Sequence, residues 1–561
     1  MTIINYGVMF NGRRIVHPGA YDAIDINNVL TSTPGSLNRP IYMGEADSGI
    51  PGVVKWFSSA SAAREYTSGG ELYDVLDLAF SPSVGGGGGA SIVGLLVTNQ
   101  LTQASLSAGG LSQTAVMYGI NGNKISTKLE NGTITGSKRF VASRWDTDVT
   151  EVFDNLGAVI QIQYKGASAY AEINITKTGE VATLLTTKIG ATQAGATVDI
   201  SVDLTNTQYA TVGQLAHYLS GIADYDVSFL ESELPVSSLD ALTSVNIKAS
   251  ANYIMAVSGD LIYQINKLST LVNVSLTGTL TNYPVTYLTG GAKGSSPASW
   301  SDYFTTISKE YADILAILSA NEAVHAEALA HAEQMEQRGQ KRVVYVGGPL
   351  GETVDQTKRR ALLLNSSRAV VAYPGIYFKN STGNTTLYPP YFAAAMLAGR
   401  SAGVSASEPL TFDYFNLVGL ETNLVAGDPD IDDLITSGVA ALENVFGGGV
   451  RLAQSVTTDL TPGSPFRELS IRRGADSLSI RVTSALEAEF VGKKGTPGNV
   501  TTIALVTKDV LSKAKADEEI VDFRNITVTF LNSVAQVDYE VAYVDPINYV
   551  LVTSHFVSNL S

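Results

Sequence analysis

The chain has 561 residues, and 37 Lys and Arg residues against 53 Asp and Glu residues give it a net charge of −16. A chain this acidic lacks the clustered basic residues that nucleic acid or an anionic membrane surface would need, so neither partner is expected. Cysteine is absent, which excludes disulfide frameworks, thiolate metal sites and thiol catalysis. Only 16% of the residues are charged, against about 25% in typical soluble domains, so large contacts with other chains are expected.

Targeting and membrane signals are missing from the sequence. The longest apolar run, from Ala90 to Val97, has the length of a strand and falls well short of the roughly 18 residues of a membrane span. The first residues lack the pattern of a signal peptide. Folding in a cytoplasm without direct membrane insertion is therefore expected.

The first 30 residues have the pattern of an arm. Tyr6–Phe10 and Arg13–Val16 are short strand-like runs, and Asn11-Gly12 between them is typical of a two-residue hairpin turn. A lone hairpin is at best marginally stable in water, so we expect it to dock on another surface. Pro18-Gly19 then ends the second strand with turn chemistry.

Residues 40–97 are predicted to form a strand, a helix and a strand, with Ser58 or Ser59 capping the helix and Leu72 to Ala79 at helical spacing. Residues 115–285 differ, because alternating segments rich in Thr, Val, Ile and Tyr are separated by Asn-Gly and Gly-rich turns. This pattern predicts a mainly β region inserted into a mixed α/β unit.

Between 297 and 405 helical and strand patterns alternate, which predicts a parallel sheet covered by helices. The predicted elements are helices at Ser299–Tyr311, Glu322–Arg338, Glu352–Leu364 and Pro389–Ala402, and strands at Asp313–Ser319, Arg342–Val346 and Ala369–Tyr373.

The last hundred residues predict two long helices and three strands. The helices are Phe466–Val491 and a second one that Asn499 caps and that ends at Ala516, and the strands are Ile526–Leu531, Ala535–Tyr543 and Tyr549–Phe556. The last strand is an exposed edge unless another strand pairs with it.

Two glycine-rich segments were compared with nucleotide-binding loops. Gly85 to Ala90 follows a helix and precedes a strand, the reverse of the order that a dinucleotide loop needs. Val346 to Thr353 has the right order but lacks the Gly-Lys-Ser/Thr of a phosphate-binding loop, and Glu352 would repel phosphate. A flexible connector and a tight β–α turn are the favoured interpretations.

The predicted helix around His325 and His331 was considered as a metal site. A spacing of six residues turns about 600° around a helix, so the two rings do not share a face as zinc ligands would. A solvated helix with pairs such as Glu327 and His331 is favoured. The chain also lacks a G-x-S-x-G nucleophile elbow, so no catalytic residue and no metal ligand is predicted.

A local basic surface stands out in this acidic chain. It is either an ordinary solvated helix face or a docking face for an acidic protein partner. Its residues are Lys508, Lys513 and Lys515 on the last helix and Arg472, Arg473 and Arg481 on the helix before it.

Landmarks along the chain resemble, in order and spacing, the contractile tail sheath proteins of phages. The similar segments are Val16–Asp22, Tyr42–Gly49, Val152–Gly157, Ile162–Gly166, Gly290–Trp300, Glu322–Glu327, Val346–Gly348 and Ile520–Phe523.

The resemblance implies an α/β multidomain fold. It consists of a parallel, subtilisin-like α/β domain without a triad, an inserted β-rich domain, a C-terminal α+β domain with helices and an antiparallel sheet, and extended N- and C-terminal arms. The corresponding division is 1–30 (N-terminal arm, an inter-subunit strand), 31–118 (first α/β segment of the core), 119–285 (inserted β-rich outer region), 286–452 (subtilisin-like domain), 453–545 (C-terminal α+β domain) and 546–561 (C-terminal arm strand).

The resemblance also implies a function. The chain would be a structural subunit, not an enzyme and without a cofactor, that polymerises as stacked hexameric rings into a helical sheath around a tail tube and contracts to drive the tube through the host envelope. Its partners would be further copies of itself, the tube protein, and the baseplate and tail terminator proteins. It would be assembled in the host cytoplasm and become part of the virion.

Three alternatives stay open. One is the sheath of a contractile bacteriocin or secretion system, and another is a baseplate or adhesion protein that forms a closed oligomer. The third is a hydrolase or nucleotide-binding enzyme on the 286–452 domain.

In the sheath interpretation each arm adds a strand to the sheet of a neighbour, and a contact of this kind that does not close on itself builds a helical assembly. The expected arm residues are Tyr6, Val8, Phe10, Ile15, Tyr549, Leu551 and Phe556. The expected hinges, from their turn chemistry, are Pro18, Gly19, Asp545 and Pro546. The expected tube-facing residues are Lys508, Lys513 and Lys515.

Overall fold

A computed structural model describes residues 8–10, 13–15, 38–85, 87–490, 496–531, 534–548 and 552. The chain divides into two compact units, one of residues 1–23 and 101–293 and one of residues 24–100 and 294–561. Both contain several sheets, so the chain is a mixed α/β multidomain protein, as predicted. The six-part division given above stays a prediction.

The larger unit is built on a nine-stranded sheet whose six central strands are parallel. Antiparallel strands flank them, two at one edge and one at the other. The central strands are almost entirely buried, as expected where both faces of a sheet are covered. In spatial order the strands are Tyr414–Phe415, Val450–Leu452, Val439–Asn444, Ala369–Tyr373, Val343–Gly347, Ile314–Ile317, Pro40–Gly44, Val93–Val97 and Val54–Phe57.

Helices and a small sheet surround this sheet. The predicted helix at 299–311 is shorter than expected, and the single helix expected before Ala79 is three short helices, the first capped by Ser59. The small sheet consists of Ile376–Lys379, Thr385–Tyr388 and Gly419–Leu420. The helices are Ala60–Thr67, Glu71–Asp74, Leu76–Phe80, Ser301–Ile307, Glu322–Gln337, Val354–Leu364, Pro390–Ala402 and Pro429–Thr436.

The Glu322–Gln337 helix corrects one prediction. A solvated helix was expected, but both of its histidines are buried. His325 accepts a hydrogen bond from Arg360, and His331 accepts one from Arg342 and stacks on Phe304. The partners lie outside the helix, 11 residues away for Arg342 and 35 for Arg360, so the polar composition of the helix concealed its buried face.

The C-terminal part of this unit contains two helices, Leu469–Phe490 and Pro497–Ala516, and an antiparallel hairpin of Ile520–Leu531 and Val534–Tyr543. A separate hydrophobic cluster that includes Leu478 and Leu511 joins them. Three details differ from the prediction. The first helix begins after a short turn at Pro465–Arg467, the hairpin begins at Ile520, and Thr496 rather than Asn499 caps the second helix.

The smaller unit is mainly β, as its sequence pattern predicts, with two hydrophobic cores centred on residues such as Ile162 and Phe140. Its helices are Val212–Ser220 and Val257–Leu268. Its strands are Gln103–Ala108, Leu111–Gly119, Ile125–Asn131, Lys138–Arg144, Thr150–Leu156, Ala158–Tyr164, Tyr170–Thr178, Val181–Gly190, Thr197–Asp203, Tyr225–Phe229, Leu242–Asn246, Asn252–Met255, Val272–Leu276 and Tyr283–Tyr287. Over the described parts of both units, no helix has the length and apolar character to cross a bilayer.

Candidate assembly surfaces

The N-terminal hairpin is present. Val8–Phe10 pairs antiparallel with Arg13–Ile15, and the register places two residues in the turn, as Asn11-Gly12 predicts. Three of the predicted arm residues, Val8, Phe10 and Ile15, lie on these strands. Tyr6 and the predicted hinge Pro18-Gly19 lie outside the described residues.

The C-terminal hairpin is a two-stranded sheet with one covered face. Phe523, Ile526, Tyr539 and Val541 are half-buried against the helices of the C-terminal cluster. The side chains between them, among them that of Glu540, are exposed. Among the described residues no strand pairs with either outer edge, so each edge presents backbone N–H and C=O groups to an incoming strand.

The chain continues from this hairpin into the linker that contains the predicted hinge Asp545-Pro546. The predicted arm residues Tyr549, Leu551 and Phe556 lie beyond it, outside the described residues.

The three predicted tube-facing lysines are all exposed on the Pro497–Ala516 helix. Lys508 and Lys515 are seven residues apart, which returns to within about 20° of the same helix face, whereas Lys513 lies about 140° from Lys508. Lys515 forms an exposed ion pair with Asp522 at 2.8 Å. The lysines therefore form a stripe of two and one separate charge.

The arginines of the preceding helix do not belong to this basic surface, which corrects the prediction. Arg473 is buried, Arg472 pairs with Asp476, and Arg481 pairs with Glu519. These guanidinium groups are paired within the subunit, because each donates to an acceptor on the same helix or on an element packed against it.

Arg473 belongs to a largely buried cluster around Asn38 and Arg39. These are the first residues described after the predicted N-terminal arm, and we call them the N-terminal root. The Asp313 carboxylate accepts hydrogen bonds from the backbone N–H of Asn38 (2.9 Å) and of Arg39 (2.6 Å). Arg473 donates to the Asn38 side chain at 2.7 Å. Burial raises the pKa of Asp313, while the charge of Arg473 and the two backbone N–H groups act in the opposite direction.

The backbone at Asn38 has φ of +93°, a conformation that Asn tolerates better than most residues. The Arg39 guanidinium lies 4.3 Å from the centre of the Trp56 ring, which adds a cation–π contact. The N-terminal root is therefore fixed to the sheet and to the Leu469–Phe490 helix by several independent contacts.

A second cluster lies where the chain leaves the C-terminal hairpin, and we call residues 545–548 the C-terminal root. Asn548 donates to the Glu468 carboxyl at 3.4 Å, and Gln454 donates to the same oxygen at 3.5 Å. These residues line a cavity of about 220 Å³ together with Asp545 and Pro546. Burial raises the pKa of Glu468 to about 7, and the charge of Asp545 acts in the same direction.

The Leu469–Phe490 helix, which carries Arg473, is also joined to the central sheet by buried hydrogen bonds. Arg368, only 2% exposed, donates to both oxygens of Asp476 at 3.0 and 3.1 Å and to the Glu336 carboxylate at 2.5 Å. The hydrogen bonds that Glu336 accepts from Arg368, with the nearby positive charges, lower the pKa of Glu336 to about 2. The Leu469–Phe490 helix thus joins the two roots and the sheet.

The sheet also offers the place where an enzyme of this architecture would bind a ligand. Strand order reverses between Pro40–Gly44 and Ile314–Ile317, and a crevice of about 730 Å³ lies at their carboxyl ends. Its described lining includes Glu45, Glu71 and Tyr391 but no histidine, lysine or arginine. Within the described residues, no group of three or more His, Asp or Glu side chains has a metal-binding arrangement.

The turn that begins at Val346 has no anion-binding character. Glu352 of this turn pairs with Arg360 at 2.8 Å, and the Gly351 N–H donates to Glu421 at 2.7 Å. Two carboxylates thus occupy the neighbourhood that a phosphate would need, which supports the tight-turn interpretation.

Sequence reasoning missed the residues of both roots. Asn38 lies 275 residues from Asp313 and 435 residues from Arg473, and Arg368 lies 108 residues from Asp476. The available signals were weak. Asp313 is an acid directly before an apolar strand, and Glu468 opens a long helix.

Comparison with known proteins gives a consistent result. Residues 293–458 match the model of the phage tail sheath protein central domain. The chain is 48% identical over 561 residues to the tail sheath protein of Bacillus phage SP01, covering 99% of this chain and 98% of that protein. It is 28% identical over 557 residues to the putative tail sheath protein of Enterococcus phage phiEF24C, covering 97% of each.

Two solved structures share the fold. One is a sheath tail protein from Listeria innocua, with a TM-score of 0.58 and 14% identity, covering 92% of this chain and 94% of that one. The other is a sheath tail protein from Desulfitobacterium hafniense, with a TM-score of 0.53 and 13% identity, covering 94% of this chain and 100% of that one.

Proposed function

This chain belongs to the phage tail sheath protein family and is a structural subunit of a contractile sheath, and we propose that its two arms join the subunits by strand addition. The observation that carries the proposal is the two-stranded sheet of Ile520–Leu531 and Val534–Tyr543, which has an unpaired edge on either side among the described residues. The chain also has a strand-forming segment near each terminus.

Strand addition suits a sleeve in which every subunit makes the same contact. The incoming strand would be held by backbone hydrogen bonds, and alternate residues of a strand, as Tyr549 and Leu551 would be, share one face. Tyr6, Val8, Phe10 and Ile15 would serve in the same way in the N-terminal arm, and Phe556 in the C-terminal one. A contact of this kind whose rotation does not close builds a helical assembly, and the resemblance to the sheath family implies that it consists of stacked hexameric rings.

Contraction follows from subunits that move as rigid bodies while their arms stay paired. The hinges Pro18-Gly19 and Asp545-Pro546 would absorb the change of direction. New contacts between neighbouring domains would favour the contracted sheath, which drives the tube through the host envelope after a signal from the baseplate. A tail terminator would close the far end.

Two observations support the proposal of a subtilisin-like domain without a triad. The central strands are parallel with helices packed around them, and the described lining of the crevice lacks histidine. The protein would then act without catalysis, after assembly in the host cytoplasm and as part of the virion. Full-length similarity to phage proteins favours a phage tail over a bacteriocin or a secretion system.

The lysine stripe of Lys508 and Lys515 would face the tube, because complementary charge orients a docking surface. Lys508→Glu with Lys515→Glu should weaken assembly of the sheath on purified tubes. The matched comparison is Lys508→Glu alone against Lys513→Glu alone, since the two carry the same charge change on different helix faces, and Lys513→Glu should have the smaller effect. Equal effects of the two variants would contradict this orientation.

The test of strand addition compares proline with alanine at the same positions. In the hairpin register Met9 and Arg14 form the pair whose N–H groups point outward. Met9→Pro with Arg14→Pro removes these two donors and should abolish sheaths in negative-stain electron micrographs, whereas Met9→Ala with Arg14→Ala should retain them. Deletion of residues 1–16 should give a folded monomer that forms no sheath. Normal sheaths from the proline variant or from the deletion would refute the proposal.

A further inference from the structure

The C-terminal root contains two buried oxygen atoms that lack a hydrogen-bond partner. One is Oε1 of Glu468, a residue that is only 8% exposed, and the other is Oδ1 of Asn548. The remaining polar atoms of the same two side chains face each other, since Nδ2 of Asn548 donates to Oε2 of Glu468 at 3.4 Å. Both unpartnered atoms are acceptors, and the amides of Asn548 and Gln454 both donate to Oε2, so one donor hydrogen is missing from this contact.

A proton on Glu468 supplies that hydrogen. A neutral carboxyl group has one O–H donor and one carbonyl acceptor, and a primary amide has a complementary N–H donor and C=O acceptor. Paired together they form two hydrogen bonds at once and satisfy both unpartnered oxygens. A carboxylate offers only acceptors, so it keeps one hydrogen bond and leaves the Asn548 oxygen buried without a donor.

We propose that Glu468 and Asn548 form a protonation-dependent latch that holds the C-terminal root against the start of the Leu469–Phe490 helix and releases it when the carboxyl ionises. The inference rests on the proposed function to the extent that this segment leads into the C-terminal arm. In the unassembled subunit the closed latch keeps the segment on the body, and the open latch frees it to reach a neighbour.

The charges around the carboxyl set the direction of the pH dependence. Arg467 from the preceding turn favours the ionised form, and Asp545 from the root itself opposes it; the uncharged Gln454 and Asn548 amides complete the surroundings. Burial is the largest influence and raises the pKa of Glu468 to about 7.

A group whose pKa is higher in the closed state stabilises that state most at low pH. The closing equilibrium should therefore weaken as the pH rises from about 4.5 to about 7, by up to about tenfold per pH unit, and level off above that range.

The experiment uses the absence of cysteine from the chain. Ile547→Cys, at an exposed position inside the C-terminal root and next to Asn548, carries a nitroxide label that reports the backbone mobility of the root and is read from the spectrum of the unassembled protein between pH 5 and pH 8. We expect the ratio of mobile to immobile label to increase at least tenfold from pH 5 to pH 7. A ratio that stays constant would overturn the proposal.

Two variants assign the effect to the carboxyl group. Glu468→Gln offers an amide that donates and accepts like the neutral acid, so its label should stay immobile at every pH. Glu489→Gln, the same change at an exposed position of the same helix, should titrate like the parent protein. A Glu468→Gln variant that still follows pH, or a Glu489→Gln variant that does not, would overturn the assignment.

Asp545→Asn tests the direction of the charge effect. It removes the negative charge that opposes ionisation, so its titration should shift to lower pH. A shift to higher pH would contradict the latch as described. None of these measurements needs a sheath, so a failure of the latch leaves the strand-addition test untouched, and a failure of strand addition leaves the latch measurable.

Discussion

Acid should destabilise the larger unit through its two buried histidines. The Nε2–H of His325 donates to the Ser319 carbonyl at 2.7 Å, and its Nδ1 accepts from Arg360 at 3.2 Å. Nε2 of His331 accepts from Arg342 at 2.6 Å. Each ring is therefore neutral, and a second proton would point an N–H at a guanidinium group.

The magnitude follows from the pKa values. Burial, with the nearby arginine charges, lowers the pKa of His325 and that of His331 from 6.5 to about 4. As the pH falls, the unfolded chain takes up these protons first, so stability is complete above about pH 6.5 and is lost toward pH 4. Between about pH 7.5 and about pH 5 the loss is about 2 kcal/mol per histidine.

Tryptophan fluorescence during urea unfolding measures this loss of stability in the larger unit. Trp56 and Trp300 belong to the hydrophobic core of the larger unit, whereas Trp145 is 66% exposed in the smaller one. In a Trp145→Phe background the signal therefore reports on the larger unit alone. His325→Gln and His331→Gln, which stay neutral at every pH, should each flatten the pH dependence by about 2 kcal/mol, whatever their effect at pH 7.5.

His217→Gln is the matched control, because His217 is exposed on the Val212–Ser220 helix of the smaller unit. Its pH profile should follow that of the parent protein. If the His325→Gln and His331→Gln profiles also run parallel to the parent profile, the histidines do not carry the acid sensitivity and the reasoning fails.

Two further predictions concern how the larger unit is held together. Arg368→Ala leaves the buried Asp476 with Arg472 as its remaining cation and removes one cation of the partly exposed Glu336, so it should cost at most about 3–5 kcal/mol and speed amide hydrogen exchange in the Leu469–Phe490 helix. Lys358→Ala, which breaks an ion pair with the exposed Asp433, should cost much less, and equal costs would refute the role of burial. Gly347→Ala would place a methyl group 2.3 Å from the backbone of the Pro390–Ala402 helix and should cost about 1–3 kcal/mol, whereas Gly419→Ala meets no atom within 4 Å and should leave the melting temperature nearly unchanged.

Regular elements with strong local signals could be predicted from the sequence. The parallel sheet follows from alternating helix and strand patterns, and the N-terminal hairpin follows from a single Asn-Gly pair. The three short helices before Ala79 show the limit, because Gly70 breaks the helical spacing with φ of +85° at a site where the backbone of Ala46 approaches within 2.8 Å of an added Cβ.

The buried polar contacts could not be predicted, because each depends on partners brought together by the fold. His331 lies among polar residues in the sequence, yet its ring meets Phe304 and Arg342. Arg473 was assigned to a basic surface, yet it is buried beside Asn38. Residue composition gives the charge of a helix but not the face on which that charge is neutralised.

The two roots show where the load of the two proposed arms would enter the subunit. Glu468 and Arg473 contact different roots but are only five residues apart, about 7.5 Å along a helix. Arg368 ties the same helix to the central sheet through Asp476. A pull on the proposed N-terminal arm would therefore act on this helix through Arg473 and pass to the sheet rather than to a flexible loop. The proposed C-terminal arm would pull on the same helix only while the contact between Glu468 and Asn548 is closed.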